Sequence, residues 1–299
     1  MKGKKKVTLI ASLIGATFIV VLLFVRSPIF FNDDNTKLNS KFELKCSKNP
    51  HSKKLLKNFV IIGHRGNSSV APENTLEAIN QAFAAGAGMV EVDLQLSREG
   101  VPIIIHDLTV DRTTNGKGYV SKKTLPQLKS LDAGSWKDPK YAGERVPTLA
   151  DALQAAKGNG RLLLDLKVDG TGAAVAKVLK SLNLPDNIVA VGTQTPEQTQ
   201  DYVIHVPGAE ILYNFEAPSQ WEQDVFKKQL ARGIKGFELG ANWSPEFISA
   251  AHAHGMPVYA YVINDEPTMR KLIEMGINGI ETDFPERLAK VIKDICNQR

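Results

Sequence analysis

Two histidines bracket a pair of carboxylates within about forty residues of chain. The segments read Ile61-Ile62-Gly63-His64-Arg65-Gly66, Val90-Glu91-Val92-Asp93-Leu94 and Ile103-Ile104-Ile105-His106-Asp107. Ala71-Pro72-Glu73-Asn74-Thr75 falls between the first two. Most of these polar groups end or interrupt a run of β-branched residues, where barrel enzymes keep their chemistry. Glu91 and Asp93 are two apart on a strand, so both point to one face. Two ionised carboxylates buried side by side repel, and desolvation adds to the cost. A divalent cation removes the problem, and oxygen donors suit calcium or magnesium. His64 and His106 can then serve as acid and base. The set predicts metal-assisted phosphoryl chemistry.

Further candidates follow the same logic. Asp165 and Lys167 alternate with leucines in Leu163-Leu164-Asp165-Leu166-Lys167. Asp165 is placed with the metal carboxylates, and Lys167 is placed on a phosphate oxygen. Arg65 suits bidentate phosphate contact. Tyr261, near the end of a late strand, is a candidate for the pocket wall. Asp283 reads equally as a pocket residue or a helix N-cap. Glu73 and Asn74 read equally as loop-fixing or catalytic groups. His51, His205, His252 and His254 carry no such signal.

The elements that must position these groups alternate from residue 59 onward. Eight short apolar runs are expected as strands: 59–63, 89–96, 162–167, 188–192, 210–214, 236–239, 257–263 and 279–282. Eight helical stretches follow them, at 75–85, 148–157, 171–182, 196–204, 219–231, 245–254, 267–274 and 285–296. Pro196, Pro245, Pro267 and Pro285 sit near first turns, Thr195 and Ser244 are placed to cap, and Gly86, Gly233, Gly255 and Gly276 close helices. Eight βα units in about 240 residues predict a TIM (β/α)8 barrel, with a doubly wound open sheet as the alternative. A small insertion, about 97–147, follows the second strand and carries a short extra strand at 102–106. Long insertions at that end of a barrel usually build the site.

The first 58 residues differ in kind. They hold 12 Lys+Arg against 3 Asp+Glu, whereas the remaining 241 hold 25 against 29. The basic balance of the chain, +5, therefore belongs to the N-terminus, and the acidic remainder argues against a nucleic-acid ligand. Lys2, Lys4, Lys5 and Lys6 precede an uncharged run from Val7 to Val25. Residues 1–26 are expected as an N-terminal transmembrane helix, an uncleaved anchor in preference to a cleaved signal segment. Residues 27–58 read as a polar stalk, holding the 59–299 domain on the extracytoplasmic side. If the segment were cleaved, the protein would be secreted. Cys46 and Cys296 lie far apart in sequence, and the sequence leaves their pairing open.

Taken together, these residues resemble the glycerophosphodiester phosphodiesterase family. The likeness runs from His64-Arg65-Gly66 through Pro72-Glu73-Asn74-Thr75, Glu91-Val92-Asp93, His106-Asp107 and Pro147-Thr148-Leu149 to Gly279-Ile280-Glu281-Thr282-Asp283-Phe284-Pro285. It implies a TIM barrel, a divalent cation on Glu91 and Asp93, and acid/base work by His64 and His106. It also implies hydrolysis of a glycerophosphodiester to an alcohol and glycerol 3-phosphate, with the insertion as a small cap. Two departures stand out. Asp165 replaces the usual Glu before Lys167, as in the related sphingomyelinase-D-like phospholipases, and Tyr261 stands where tryptophan is common. A small-molecule or lysolipid phosphodiester is the expected substrate. Lysophospholipase D or sphingomyelinase-D-like action on lipids is an alternative, and a non-catalytic surface binding protein is another.

Overall fold

The computed structural model describes residues 55–215, 224–240 and 244–297. The expected anchor and most of the stalk lie outside these residues, as does Cys46. Among the described residues no helix is long and apolar enough to cross a membrane.

Among the described residues nine strands form one sheet: β1 (Val60–Gly63), β2 (Met89–Leu96), β3 (Pro102–Ile104), β4 (Arg161–Leu166), β5 (Val189–Thr193), β6 (Glu210–Phe215), β7 (Gly236–Leu239), β8 (Val258–Ala260) and β9 (Gly279–Thr282). The hydrogen-bonded order is β1-β9-β8-β7-β6-β5-β4-β2, and β1 pairs back to β2. That last pairing, Ile62 with Met89 and Gly63 with Val90, closes eight parallel strands into a barrel and excludes the open sheet. β3 is the extra strand, antiparallel to β2.

The helices are α1 (Leu76–Ala84), α2 (Leu125–Lys129), α3 (Leu149–Ala156), α4 (Gly172–Ser181), α5 (Pro196–His205), α6 (Val225–Ala231), α7 (Pro245–Ala253), α8 (Glu266–Glu274) and α9 (Pro285–Asn297). Thr195 and Ser244 cap α5 and α7 by accepting from Gln198 and Phe247 N–H groups. All four expected closing glycines adopt positive φ. Two elements are shorter than expected. β8 stops at Ala260, although isolated hydrogen bonds to the same neighbours continue beyond it, from Tyr261 N–H to Leu239 O on β7 and from Ile263 N–H to Glu281 O on β9. Helix α6 starts at Val225, and residues 219–223 lie outside the described region.

Core packing begins at Leu56, 5% exposed, just ahead of the first strand. Cys296, buried near the end of α9, is oxidised in a disulfide. Ile62, Met89, Leu163, Ala190, Leu212 and Tyr259 pack together as the floor inside the barrel. A separate small core of Ile103, Ile105, Val110, Val120, Leu128, Ala133 and Val146 holds the insertion.

Candidate active site

The floor dictates what lies above it. Strand side chains alternate faces, so the residue two beyond each floor position also points inward. Those residues are His64, Glu91, Asp165, Gly192, Asn214 and Tyr261. Asp93 follows Glu91 by the same step, and Glu238 and Glu281 occupy the equivalent places after Gly236 and Gly279. Apolar residues thus fill the lower barrel, and acids line its C-terminal mouth.

Glu91 and Asp93 are almost fully buried. The Arg65 N–H donates to Glu91 Oε2 at 2.7 Å. Arg65 makes this contact from the left-handed region at φ 54°, which is uncommon for a non-glycine residue. The following Gly66, φ 91°, lets the turn press on α1: a Cβ there would lie 2.5 Å from the Ala78 backbone. Asn74, at φ 59°, clamps Asp93 twice. Its Nδ2 donates to Asp93 Oδ2 at 2.5 Å and its Oδ1 accepts from the Asp93 N–H at 3.2 Å. Lys167 Nζ lies 3.0 Å from Asp93 Oδ1 and 2.6 Å from Asp165 Oδ2. Burial would lower the Lys167 pKa, but Asp93 and Asp165 outweigh it and hold the ammonium charged.

Each histidine is held at one nitrogen by a carboxylate. His64 Nδ1 lies 2.7 Å from Asp283 Oδ1, which also accepts from Ser68 Oγ. Asn264 Nδ2 donates to the other Asp283 oxygen. Burial opposes the charge on Asp283, but His64 and Ser68 win and hold its pKa well below the carboxylate range. Asp283 is therefore a partner of His64, and among the described residues it accepts no hydrogen bond from an α9 N–H group. His106 Nδ1 lies 2.7 Å from Asp107 Oδ1. Gln95, buried on β2, pins that loop by donating to the carbonyls of Ile105, His106 and Asp107.

The two halves are joined by charge. Arg112, from the insertion, donates to Asp107 at 2.7 Å and to both Glu73 oxygens at 2.8 Å. Glu73 also accepts from Arg65 at 2.8 Å, and Arg65 Nε lies 3.2 Å from Asp93. Hydrogen bonds from Arg112 lower the Asp107 pKa and keep its charge. Burial would raise Glu73, but Arg112 and Arg65 keep it low. Tyr261 reaches over the acids, its hydroxyl donating to Asn214 Oδ1 at 2.6 Å.

The predicted metal carboxylates come together. Donor atoms of Glu91, Asp93 and Asp165 lie within 4.8 Å of one another. Glu91 Oε1 and Asp165 Oδ1 are buried with no hydrogen-bond partner. A buried carboxylate oxygen left bare is costly unless a cation completes it, so the donor set fits a divalent ion. Burial, then Asp93, Glu281 and Asp165, raise the Glu91 pKa, which is the repulsion such an ion would relieve.

Sequence reasoning assigned no role to Glu238 and Glu281, although both obey the i, i+2 rule that found Glu91 and Asp93. It also missed Arg112, whose partners lie five and thirty-nine residues away.

The glycerophosphoryl diester phosphodiesterase family model matches residues 64–287. A glycerophosphodiester phosphodiesterase of Caldanaerobacter subterraneus subsp. tengcongensis is 30% identical over 243 residues, covering 78% of this chain and 98% of that protein. A phosphodiesterase of Oleispira antarctica, solved in complex with the product sn-glycerol-3-phosphate, is 32% identical with a TM-score of 0.71, covering 81% and 98% of the two chains. The glycerophosphodiester phosphodiesterase structure from Agrobacterium tumefaciens is 27% identical with a TM-score of 0.67, covering 78% and 99%. The chain belongs to the glycerophosphoryl diester phosphodiesterase family and is an enzyme of its phosphoric diester hydrolase class.

Proposed function

We propose that the chain hydrolyses a small glycerophosphodiester to glycerol 3-phosphate and an alcohol, with calcium or magnesium on Glu91, Asp93 and Asp165. The observation that carries this reading is the pair of carboxylate-held histidines around a cation-ready cluster. A carboxylate on Nδ1 fixes the tautomer and leaves Nε2 for proton transfer. One histidine takes the proton of the attacking hydroxyl, from water or from the neighbouring glycerol carbon. As the new P–O bond forms and the old one breaks, the other histidine protonates the leaving alkoxide; where the glycerol hydroxyl attacks, this leaves a cyclic phosphate, which water then opens to glycerol 3-phosphate with the two histidines exchanging roles. Arg65 and Lys167 share the developing charge on the phosphoryl oxygens, and Tyr261 lines the alcohol side. The bound cation supplies Lewis-acid polarisation of the phosphate. The test is glycerol 3-phosphate release from glycerophosphocholine by the purified chain, with EDTA and then with calcium or magnesium restored. Activity unaffected by EDTA would overturn the metal reading.

One observation favours a second reading, lysophospholipase D action. Leu108 and Tyr119 are 57% and 59% exposed, and Leu108 is two residues beyond His106. They are joined across a short bridge, with Val120 N–H donating to Leu108 O. An acyl chain or bilayer would cover them. Higher kcat/KM on lysophosphatidylcholine than on glycerophosphocholine would select this reading. Placement at the extracytoplasmic face of a membrane is part of the proposal and rests on the lysines and apolar run of residues 2–25. Membrane fractionation of cells expressing the full chain tests it.

A further inference from the structure

Glu281 is 5% exposed and Glu238 4% exposed, and neither makes a hydrogen bond among the described residues. Among the described residues no arginine or lysine is ion-paired with either one. Glu238 sits deep: its Oε2 lies 2.6 Å from where a Cβ on Gly192 would be, so Gly192 leaves it room. Two other acids of this barrel are matched. Asp93 has Lys167, Arg65 and Asn74, and Glu210 has Arg161 at 2.6 Å. A buried carboxylate with no lysine or arginine paired to it points to a positive ligand.

The donors for one are present. His64, Glu91 and Glu281 place ligand atoms within 4.8 Å of one another. His64 Nε2 is 3.9 Å from Glu281 Oε1. Around a tetrahedral zinc-type ion, with bonds near 2.0–2.2 Å, neighbouring donors stand ~3.4 Å apart. Rotations that move atoms about an ångström therefore close the set. The His64 Nδ1 is already held by Asp283, the carboxylate–histidine arrangement that orients imidazole ligands and raises their basicity. Glu91 Oε1 is buried and bare, while its Oε2 is fixed by the Arg65 N–H. The mixed nitrogen and oxygen set favours a borderline transition-metal dication, whereas the all-oxygen Glu91, Asp93 and Asp165 set favours a hard one.

We propose that His64, Glu91 and Glu281 form a second dication site that shares Glu91 with the first and inhibits the enzyme. An ion on His64 Nε2 removes the lone pair that the reaction needs for proton transfer. The inhibition depends on the role proposed above for His64, but the site itself does not, because binding is counted without turnover.

The test is equilibrium dialysis of the full chain against buffered free zinc with magnesium in excess, counting all divalent ions bound per chain. Wild type should hold one more ion than Glu281→Gln, with at least a tenfold weaker second equivalent in the variant. His64→Ala, at a partly exposed position, should show the same loss and serves if Glu281→Gln does not fold. Cobalt in place of zinc should give the stronger visible bands of a four-coordinate site, lost in both variants. Equal ion counts in wild type and both variants would overturn the site, and any surface zinc would then appear equally in all three. That result would leave magnesium-dependent turnover standing, whereas a chain that binds the second ion as expected but shows no turnover with magnesium alone would overturn the catalytic reading instead.

Discussion

The two sides of the barrel mouth treat their acids in opposite ways. On β2 and β4, Asp93 and Asp165 are tied to Lys167, and Asp93 also to Arg65 and Asn74. On β7 and β9, Glu238 and Glu281 lie nearly as deep as Asp93 with no hydrogen bond among the described residues. Similar burial therefore has two consequences. The β2/β4 side carries charge of both signs at fixed positions, which suits an anionic phosphodiester with its cation. Among the described residues the β7/β9 side has no lysine or arginine paired to its acids, and burial raises the pKa of both. A matched cluster recognises and reacts, whereas an unmatched one waits for a proton or a cation.

The largest effect should come from the histidines that face this cluster. His64→Ala and His106→Ala should each lower kcat on glycerophosphocholine by about 10²–10⁴-fold, the usual range for losing an acid or base. Melting temperatures should change little, since both side chains are partly exposed. A variant within threefold of wild-type turnover would break the assignment.

Lys167 tests the matched side. Without a cation it is the ammonium between two carboxylates, and removing one partner of a buried pair costs several kcal/mol. Lys167→Met should destabilise the metal-free chain by about 3 kcal/mol, and magnesium should restore most of that by replacing the lost charge. Turnover should still fall about 10–100-fold with the cation present, because a phosphate contact is gone. Thermal melts with and without magnesium separate the two roles. An equal loss of stability in both conditions would show that Lys167 is structural only.

Glu238 tests the unmatched side, and its sign is opposite. Burial, then Asp165 and Glu210, push its pKa from 4.5 up to about 8. In the unfolded chain it ionises at the lower value, so the unfolded state binds fewer protons between those limits. Stability then falls as pH rises. The cost is absent below about 4.5 and complete above about 8. Glu238→Gln should stabilise the metal-free chain by on the order of 2 kcal/mol at pH 8.5, roughly 4–8 °C in Tm, and by nothing at pH 4.5. A gain that does not depend on pH would mean that the carboxylate is not the source of the cost.

Most of this frame was legible in the residue order. Alternation on the strands put Glu91, Asp93 and Asp165 on one face, and the helix caps at Thr195 and Ser244 marked the βα repeat. What escaped has a physical reason in each case. Glu238 and Glu281 follow the same alternation, but each stands alone in its strand, and a single acid after a glycine signals no repulsion to be relieved. Asp283 before Phe284-Pro285 looks like a cap because caps are read locally. Its actual partner, His64, is 219 residues away in the chain and meets it only because β1 pairs with β9. Barrel closure itself leaves no mark in periodicity, since an open sheet of the same strands has the same pattern.

The smallest effect should lie at Arg112, the link between insertion and barrel. Its guanidinium forks onto Asp107 and Glu73 from a side chain that is 43% exposed. Exposed ion pairs contribute little to folding, so Arg112→Ala should cost no more than about 1 kcal/mol. Its influence reaches His106 through Asp107, which Gln95 also holds by the backbone. Turnover should therefore drop only about 3–10-fold, in kcat more than in KM, because the imidazole loses orientation and not chemistry. Arg112→Lys should recover little of it, as an ammonium cannot engage two carboxylates with a planar fork. Steady-state kinetics on the two variants decide the matter. A fall in KM-dependent binding alone would make Arg112 a substrate contact, and unchanged kcat would show that Gln95 suffices to set His106.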